Sequence, residues 1–519
     1  MAKKTQLIYA LIAGVLIGFS YIPFYAVLGM LAFIPLFLAY DHAISAKRVF
    51  LLGWLAQFIL NLIGFHWVMI TAHDFGYLPW PLSFLTLIVF ASFAHLYFPL
   101  SAVLWYFIQK RFQFDEIGSN ILKVLCFFLL ETIFPKIFPW NFGYTWITSS
   151  FSIAQTAEFW GFVGLSFFTV MANVPLLYIL KTMKVNRPIA RKAAMIFICV
   201  FVLFNVLGYF AKESTPPADK SLKTLVVQAN IGNFDKIQAE QGSRFQQAII
   251  EKYIQITEEG LAKHPETELI VWPESALPVF LRVIEGQAQP NRYMPSIYKK
   301  IKQWKIPLFT GIFIADKDYP YNAALLFDSN AELAGVYKKS LLLAFGETIP
   351  GIEENREAQK FIKKLVPAIS FFGRGKGPSV IEFENIKIGT QLCYEGIHPN
   401  FNIELDQLGT DVFINLTNDS WFGTTFEPYQ HMYMTLARAI EFRTPLLRAT
   451  NTGISTMIDA KGNIYKKSPL MKEWFGLYDI PIKTNKIKTL YSRTGTLTPF
   501  VFILLGTIFL ILRRKRLNK

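Results

Sequence analysis

The chain has 519 residues, of which 52% are hydrophobic, 16% aromatic and only 17% charged. Such a balance excludes an ordinary soluble protein and predicts a membrane protein with a sizeable polar part. The net charge of +15 is no footprint of nucleic-acid binding, because the Lys and Arg cluster beside apolar runs, where they orient helices in a bilayer.

A hydrocarbon core of about 30 Å takes about 20 mostly apolar residues per helix. Seven runs of that kind precede residue 215, at 7–24, 25–40, 50–70, 81–108, 122–138, 159–180 and 193–211, and an eighth covers 497–512. The first two are short and divided only by Ile22-Pro23-Phe24, so they fit a tight hairpin as well as two full spans. The first run lacks a small-residue cleavage site and is read as a retained helix.

Basic residues punctuate every second connection: Lys3 and Lys4, then Lys47 and Arg48, then Lys110 and Arg111, then Lys181, Lys184, Arg187, Arg191 and Lys192, and finally the tail from Arg513. The connections between them, 71–80 and 139–158, contain no Lys or Arg. Short cytoplasmic loops collect these residues, so both termini are expected in the cytoplasm and the stretch between the seventh and eighth runs outside it. Glu131 and His95 lie within apolar runs, where a charge costs about 3 kcal/mol or more at the helix centre, which predicts pairing between helices. Trp140, Tyr144 and Trp146 are expected in an interfacial belt.

The chain therefore divides into a membrane bundle at 1–213, a soluble α/β domain at 214–496, and a last helix with a basic tail at 497–519. In the polar domain, strands are expected at 222–229, 268–272, 307–314, 323–327, 333–337, 379–388, 411–415 and 446–455, with helices at 237–263 and 429–442. Interleaved strands and helices predict a layered sheet packed by helices.

Three of these strand ends carry reactive groups. Glu274 follows Trp272-Pro273, where Pro ends the strand and projects the carboxylate into a turn; Lys339 follows Val336-Tyr337-Lys338; Cys393 follows Gln391-Leu392. A solvated loop Glu, a surface Lys pair and an inert core Cys are the ordinary fates of such residues taken singly. Together they answer a chemical need. A thiol near its free pKa of about 8.5 is mostly protonated at neutral pH, so it needs a base and a nearby cation. Glu274 supplies the base, Lys339 the cation for a tetrahedral oxyanion, and the backbone N–H of Tyr394 a second donor. Cys126 and Cys199 sit in apolar runs, so the three cysteines build neither a disulfide framework nor a metal cluster, and no cofactor is called for.

Trp-Pro-Glu, Tyr-x-Lys-x-x-Leu and Cys-Tyr-Glu, in this order, resemble the Glu-Lys-Cys triad of the nitrilase (carbon–nitrogen hydrolase) superfamily. With the flanking apolar helices, and with segments such as Asn418-Asp419-Ser420-Trp421-Phe422-Gly423 and Arg448-Ala449-Thr450-Asn451-Thr452-Gly453, the chain resembles the apolipoprotein N-acyltransferase family over nearly its full length. The resemblance implies an αββα sandwich on a multi-pass membrane bundle, placed in a bacterial inner membrane with the catalytic domain periplasmic. It implies a Cys393 thioester formed from a phospholipid, and transfer of the acyl chain to the amine of a diacylglyceryl-cysteine on an apolipoprotein. Glu347 and Glu395 become supporting carboxylates that orient Lys339 or the substrate amine, and Tyr394 a backbone donor. Where the family has Pro before Phe-Gly-Glu, this chain has Ala344, which removes no reactive group.

A lipid substrate also suits the physics, since exposing a long acyl chain to water costs about 0.8 kcal/mol per CH₂. The insertion 352–377, with Phe361, Val366, Phe371 and Phe372 among basic residues and Gly373, Gly375 and Gly377 behind them, reads as an amphipathic arm on glycine hinges. Trp421 joins these as a lid or substrate-binding residue. The same triad serves a membrane-tethered amidase that passes its acyl group to water, and a transporter or sensor with a nitrilase-like binding domain would keep the fold without the chemistry.

Overall fold

A computed structural model describes residues 1–232, 243–284, 286–316, 319–353, 355–365 and 369–517. The first turn and a half of the helix expected at 237–263, and Val366 of the arm, lie outside the described residues. By internal contact the chain forms two compact units: residues 1–69, 79–214 and 489–519, and residues 70–78 with 215–488.

The first unit is helical. Each of the eight apolar runs contains helix, and among the described residues four stretches are long and apolar enough to cross a membrane: Ala46–Gly64, Trp80–Phe112, Ser152–Met183 and Arg187–Glu213. The second run fails on length, because a 3₁₀ turn (Ala26–Met30) leaves only the eight-residue helix Ile34–Asp41. The stretch from Trp80 breaks between Phe93 and Tyr97. There His95 bonds Asn61 and accepts from Trp140 Nε1. Glu131 accepts from Ser166 Oγ at 2.8 Å. Both intramembrane polar groups are thus paired between helices. The expected aromatic belt is corrected: Trp140, Tyr144 and Trp146 are at most 1% exposed, core residues whose indole N–H groups find buried partners, Trp146 at Thr169 Oγ1, 2.7 Å away. Basic connections meet at shared ends, with Arg513 on Asp115 at 2.5 Å, Lys181 on Glu116 at 2.5 Å and Arg48 on Gln6 at 2.8 Å.

The second unit is a sandwich of two sheets. One joins β1 (Lys220–Gln228), β2 (Leu269–Val271), β3 (Leu277–Ile284), β4 (Gln287–Ala288), β5 (Leu308–Ala315), β6 (Tyr321–Phe327), β7 (Leu333–Lys338) and β13 (Trp474–Ile482). The other orders β12 (Thr456–Ile458), β11 (Leu446–Thr450), β10 (Val412–Thr417), β9 (Ile386–Leu392) and β8 (Val380–Phe383). The sheets face each other where β1 meets β11, β6 meets β9 and β7 meets β8. Helices Ser243–Lys263 and Met294–Trp304 bury Ile250, Tyr253, Ile297 and Ile301 on the outer face of the first sheet. Helices Pro399–Gln407 and Glu427–Phe442 belong to the second sheet's side. The β1–β2–β5 strands run parallel, and β1 from Thr224 on, β2 and nearly all of β5 are buried, as sheets covered on both faces require.

Lys486, whose side chain is 8% exposed, sits 2.5 Å from Asp406, which is fully buried, and donates to the Phe442 carbonyl at 2.9 Å. Removing one partner of a buried pair strands the other charge, whereas replacing both with apolar groups costs little. Lys486→Met is therefore expected to lower unfolding stability of the detergent-solubilised chain by about 3 kcal/mol in a denaturant titration, and Lys486→Met with Asp406→Leu to recover most of that loss.

Candidate active site

Three turns at strand ends bring the predicted groups together. After β2, Trp272 is fully buried and its indole donates to Thr257 Oγ1 at 3.0 Å; Pro273 then ends the ladder. Gly311 on β5 lets this turn come close, since a Cβ there would stand 2.6 Å from the Glu274 Cα. Ser275, directly after the carboxylate, is left-handed at φ +50. Cys393 has φ +50 and Phe345, two residues before Glu347, has φ +66. Each such non-glycine residue stores about 1 kcal/mol or more of backbone strain, and strain of this kind gathers at functional sites.

Lys339 is the centre. Its ammonium lies 3.1 Å from Glu274 Oε1 and 2.8 Å from Glu347 Oε2, and all three residues are buried. Asn322 Nδ2 braces the two acids, donating to Glu274 Oε1 at 2.7 Å and Glu347 Oε1 at 2.8 Å. Burial works against the ammonium, yet Glu274, Glu347 and Cys393 hold the Lys339 pKa well above its usual value. The cation is permanent at any working pH. Burial and Glu274 push the Cys393 thiol well up, and Lys339 opposes them.

Glu395 holds the turn of Lys339 rather than its ammonium. It is fully buried and contacts Lys339 by no hydrogen bond; instead its carboxylate accepts from Ser340 N (2.7 Å), Leu341 N (3.1 Å), Tyr337 Oη (2.6 Å) and Leu392 N (2.9 Å). It thereby ties the turn carrying Cys393 to the turn carrying Lys339. Tyr394, 8% exposed, packs edge-on against His398 with ring centroids 4.3 Å apart.

The arm residues are placed unevenly. Phe361, on helix Arg356–Leu365, is 63% exposed. Phe372 stacks on Phe313 at 5.5 Å and its N–H donates to the Glu347 carbonyl at 3.1 Å, with Phe371 half-buried beside it. Two of the three arm glycines mark close approaches rather than hinges: a Cβ on Gly375 would meet the Lys338 carbonyl at 2.0 Å, and one on Gly373 the Tyr321 ring at 2.7 Å. Trp421 stacks on Phe75 at 3.8 Å and covers Gly346. Sequence reasoning missed Asn322, Asn415 and His431, whose only signal was a polar residue inside an otherwise apolar strand or helix face.

Residues 226–484 match the family described as Carbon-nitrogen hydrolase, and residues 13–175 match Apolipoprotein N-acyltransferase N-terminal domain. Over 501 residues the chain is 38% identical to an apolipoprotein N-acyltransferase of Bdellovibrio bacteriovorus, covering 94% of this chain and 90% of that one. Over 506 residues it is 29% identical to one of Geobacter metallireducens, covering 95% and 92%.

The electrostatics give signed expectations for the thiol. Because burial and Glu274 raise its pKa while Lys339 lowers it, alkylation of Cys393 by iodoacetamide should rise with pH through a midpoint above that of a free thiol. Glu274→Gln should move that midpoint down and Lys339→Met should move it up, as read by peptide mass mapping of the alkylated Cys393.

Proposed function

The chain belongs to the apolipoprotein N-acyltransferase family, and on that premise we propose that it takes a fatty acyl chain from a membrane phospholipid onto Cys393 and hands it to the amine of a diacylglyceryl-cysteine on an apolipoprotein. The observation that carries this reading is the buried Lys339 ammonium held between Glu274 and Glu347, at 3.1 and 2.8 Å, with Glu395 bonding both the Lys339 turn at Ser340 N and the strand end before Cys393 at Leu392 N.

The thiol is protonated at rest, so Glu274 removes its proton as the sulfur attacks the ester carbonyl. Lys339 and the Tyr394 N–H meet the oxyanion. Collapse breaks the ester C–O bond, and the departing alkoxide of the lysophospholipid takes the proton from Glu274, leaving a thioester. The acceptor amine then attacks that thioester, Glu274 takes one amine proton, and the thiolate leaves and recovers it. Glu347 and Asn322 keep Lys339 and Glu274 in place through both halves.

The same reading puts the 214–496 segment on the periplasmic side of a bacterial inner membrane with both termini cytoplasmic. It is supported by the alternation of basic and Lys/Arg-free connections. We assign the arm to the lipid: Phe361 stands exposed among Lys360, Lys363 and Lys364 on helix Arg356–Leu365, a pattern that suits an acyl surface.

Purified protein mixed with phospholipid in detergent is expected to carry an acyl adduct on Cys393 by mass spectrometry, absent in Cys393→Ser. Addition of a diacylated lipopeptide should yield the triacylated product; free fatty acid with unmodified peptide would instead make the protein a hydrolase. Glu274→Ala and Lys339→Ala should each reduce transfer at least about 100-fold, and retained turnover in either would remove that residue from the mechanism. Phe361→Ser should raise KM for phospholipid several-fold with the melting temperature unchanged; an unaltered KM would detach the arm from lipid binding.

A further inference from the structure

Cys393 and Tyr394 share one planar peptide unit, whose C=O and N–H point in opposite directions. Under the reading above the N–H faces the oxyanion, so whatever holds the C=O aims the N–H. Two side chains reach that carbonyl. Asn415 Nδ2 donates to it at 3.2 Å, and His431 Nε2 lies 3.3 Å away.

The Asn415 amide has one orientation open to it. Arg448 Nη1 donates to its Oδ1 at 2.9 Å, so the oxygen faces the guanidinium and the NH₂ is left for Cys393. Arg448 is fixed in turn by Asp419, 2.7 Å from its Nη2, and the other Asp419 oxygen faces His431 Nδ1 at 2.9 Å. Asn415, Arg448 and Asp419 are at most 1% exposed. Strand register places Asn415 beside Gln391, two residues before the nucleophile. Gly396 lets the next turn close over it, since a Cβ there would stand 2.9 Å from Asn415 Nδ2. His431 adds a donor only when Nε2 bears a proton. Asn415 donates at every pH.

We propose that Asn415, oriented by Arg448, is a positioning residue for the oxyanion peptide: its bond to the Cys393 carbonyl aims the Tyr394 N–H and polarises the amide so that this N–H donates more strongly. Hydrogen-bonded chains strengthen one another in this way inside a low-dielectric site. The bond also secures the left-handed Cys393, which at φ +50 would otherwise relax. This inference rests on Cys393 being the nucleophile.

Acyl transfer to sulfur needs an oxyanion site; alkylation by iodoacetamide, a displacement at a saturated carbon, does not. The two rates are therefore measured on the same detergent-solubilised full chain, with phosphatidylethanolamine as acyl donor and mass spectrometry at Cys393 as readout. Asn415→Asp keeps the acceptor for Arg448 but offers the carbonyl no donor, and Asn415→Ala removes the donor without adding charge. Both are expected to slow acylation about 100-fold, the worth of one oxyanion donor, while alkylation stays within about threefold. Acylation within about threefold of the unsubstituted protein in either variant overturns the inference. So does a parallel fall of both rates in both variants, since Asn415 would then only hold the turn. If the unsubstituted protein forms no adduct, the acyl-enzyme reading fails and this inference with it; an adduct there that forms equally fast in the variants removes this inference alone.

Discussion

A single buried ammonium between two carboxylates sets the terms for the rest of this structure. Inside the sandwich the Lys339 ammonium attracts Glu274 and Glu347 far more strongly than at a surface and offsets the repulsion between the two acids, so deleting the cation would strand both carboxylates without water. The arrangement is stable only when all three turns arrive together. That requirement explains why Gly311 lets the Glu274 turn come close and why Asn322, at the start of β6, donates to both acids. It also means that Lys339 is charged and oriented before any substrate arrives, so the negative charge that develops on a substrate oxygen meets a dipole already in place.

The proposed triad is shared between the two sheets. Glu274 and Lys339 leave strands of the first, Cys393 leaves β9 of the second. A slide of one sheet over the other by a fraction of an ångström would misplace the sulfur, and misplacement of about 1 Å costs orders of magnitude in rate. Glu395 prevents the slide by gathering backbone N–H groups from both sides, Leu392 from β9 and Ser340 and Leu341 from beyond β7. Arg448, on β11, braces the second sheet internally, reaching β10 through Asn415 and the turn after β10 through Asp419.

What could be read from the sequence was whatever local chemistry announces. Pro273 ends a strand and turns the following Glu out of the ladder; the alternating run 379–388 reads as strand, although left-handed Glu384 and Asn385 split it into β8 and β9, the second of which ends just before Cys393; the apolar runs read as helices. The strand Trp474–Ile482 was not foreseen, because Gly476 and Pro481 interrupt its pattern and its partner, β1, lies some 250 residues earlier in the chain. Asn322 and Asn415 were equally silent, since a polar residue in a strand reads as the solvent face until a second sheet covers it. Glu395 stands out in the sequence by its place two residues after Cys393, but its partners include the Ser340, Leu341 and Leu392 backbone amides, which no pattern of side chains encodes. Trp140, Tyr144 and Trp146 had the composition of an interfacial belt, and only the packing around His95 and Thr169 turned them inward.

The choice of acceptor follows from protonation as much as from shape. A thioester is attacked by a neutral amine, not an ammonium. An α-amine with a pKa near 8 is roughly a tenth neutral at pH 7, whereas a lysine side chain near 10.4 is neutral in less than about one molecule in a thousand. A site that supplies a base only for the proton lost during attack therefore favours the N-terminal amine of a lipid-bearing cysteine over lysine amines by about two orders of magnitude before any contact is made. Water remains the competitor in excess, and Glu274, Glu347 and Lys339 are all buried away from bulk solvent. The acyl chain adds to that exclusion, because each methylene drawn from the bilayer onto an apolar surface displaces water from the approach to the sulfur.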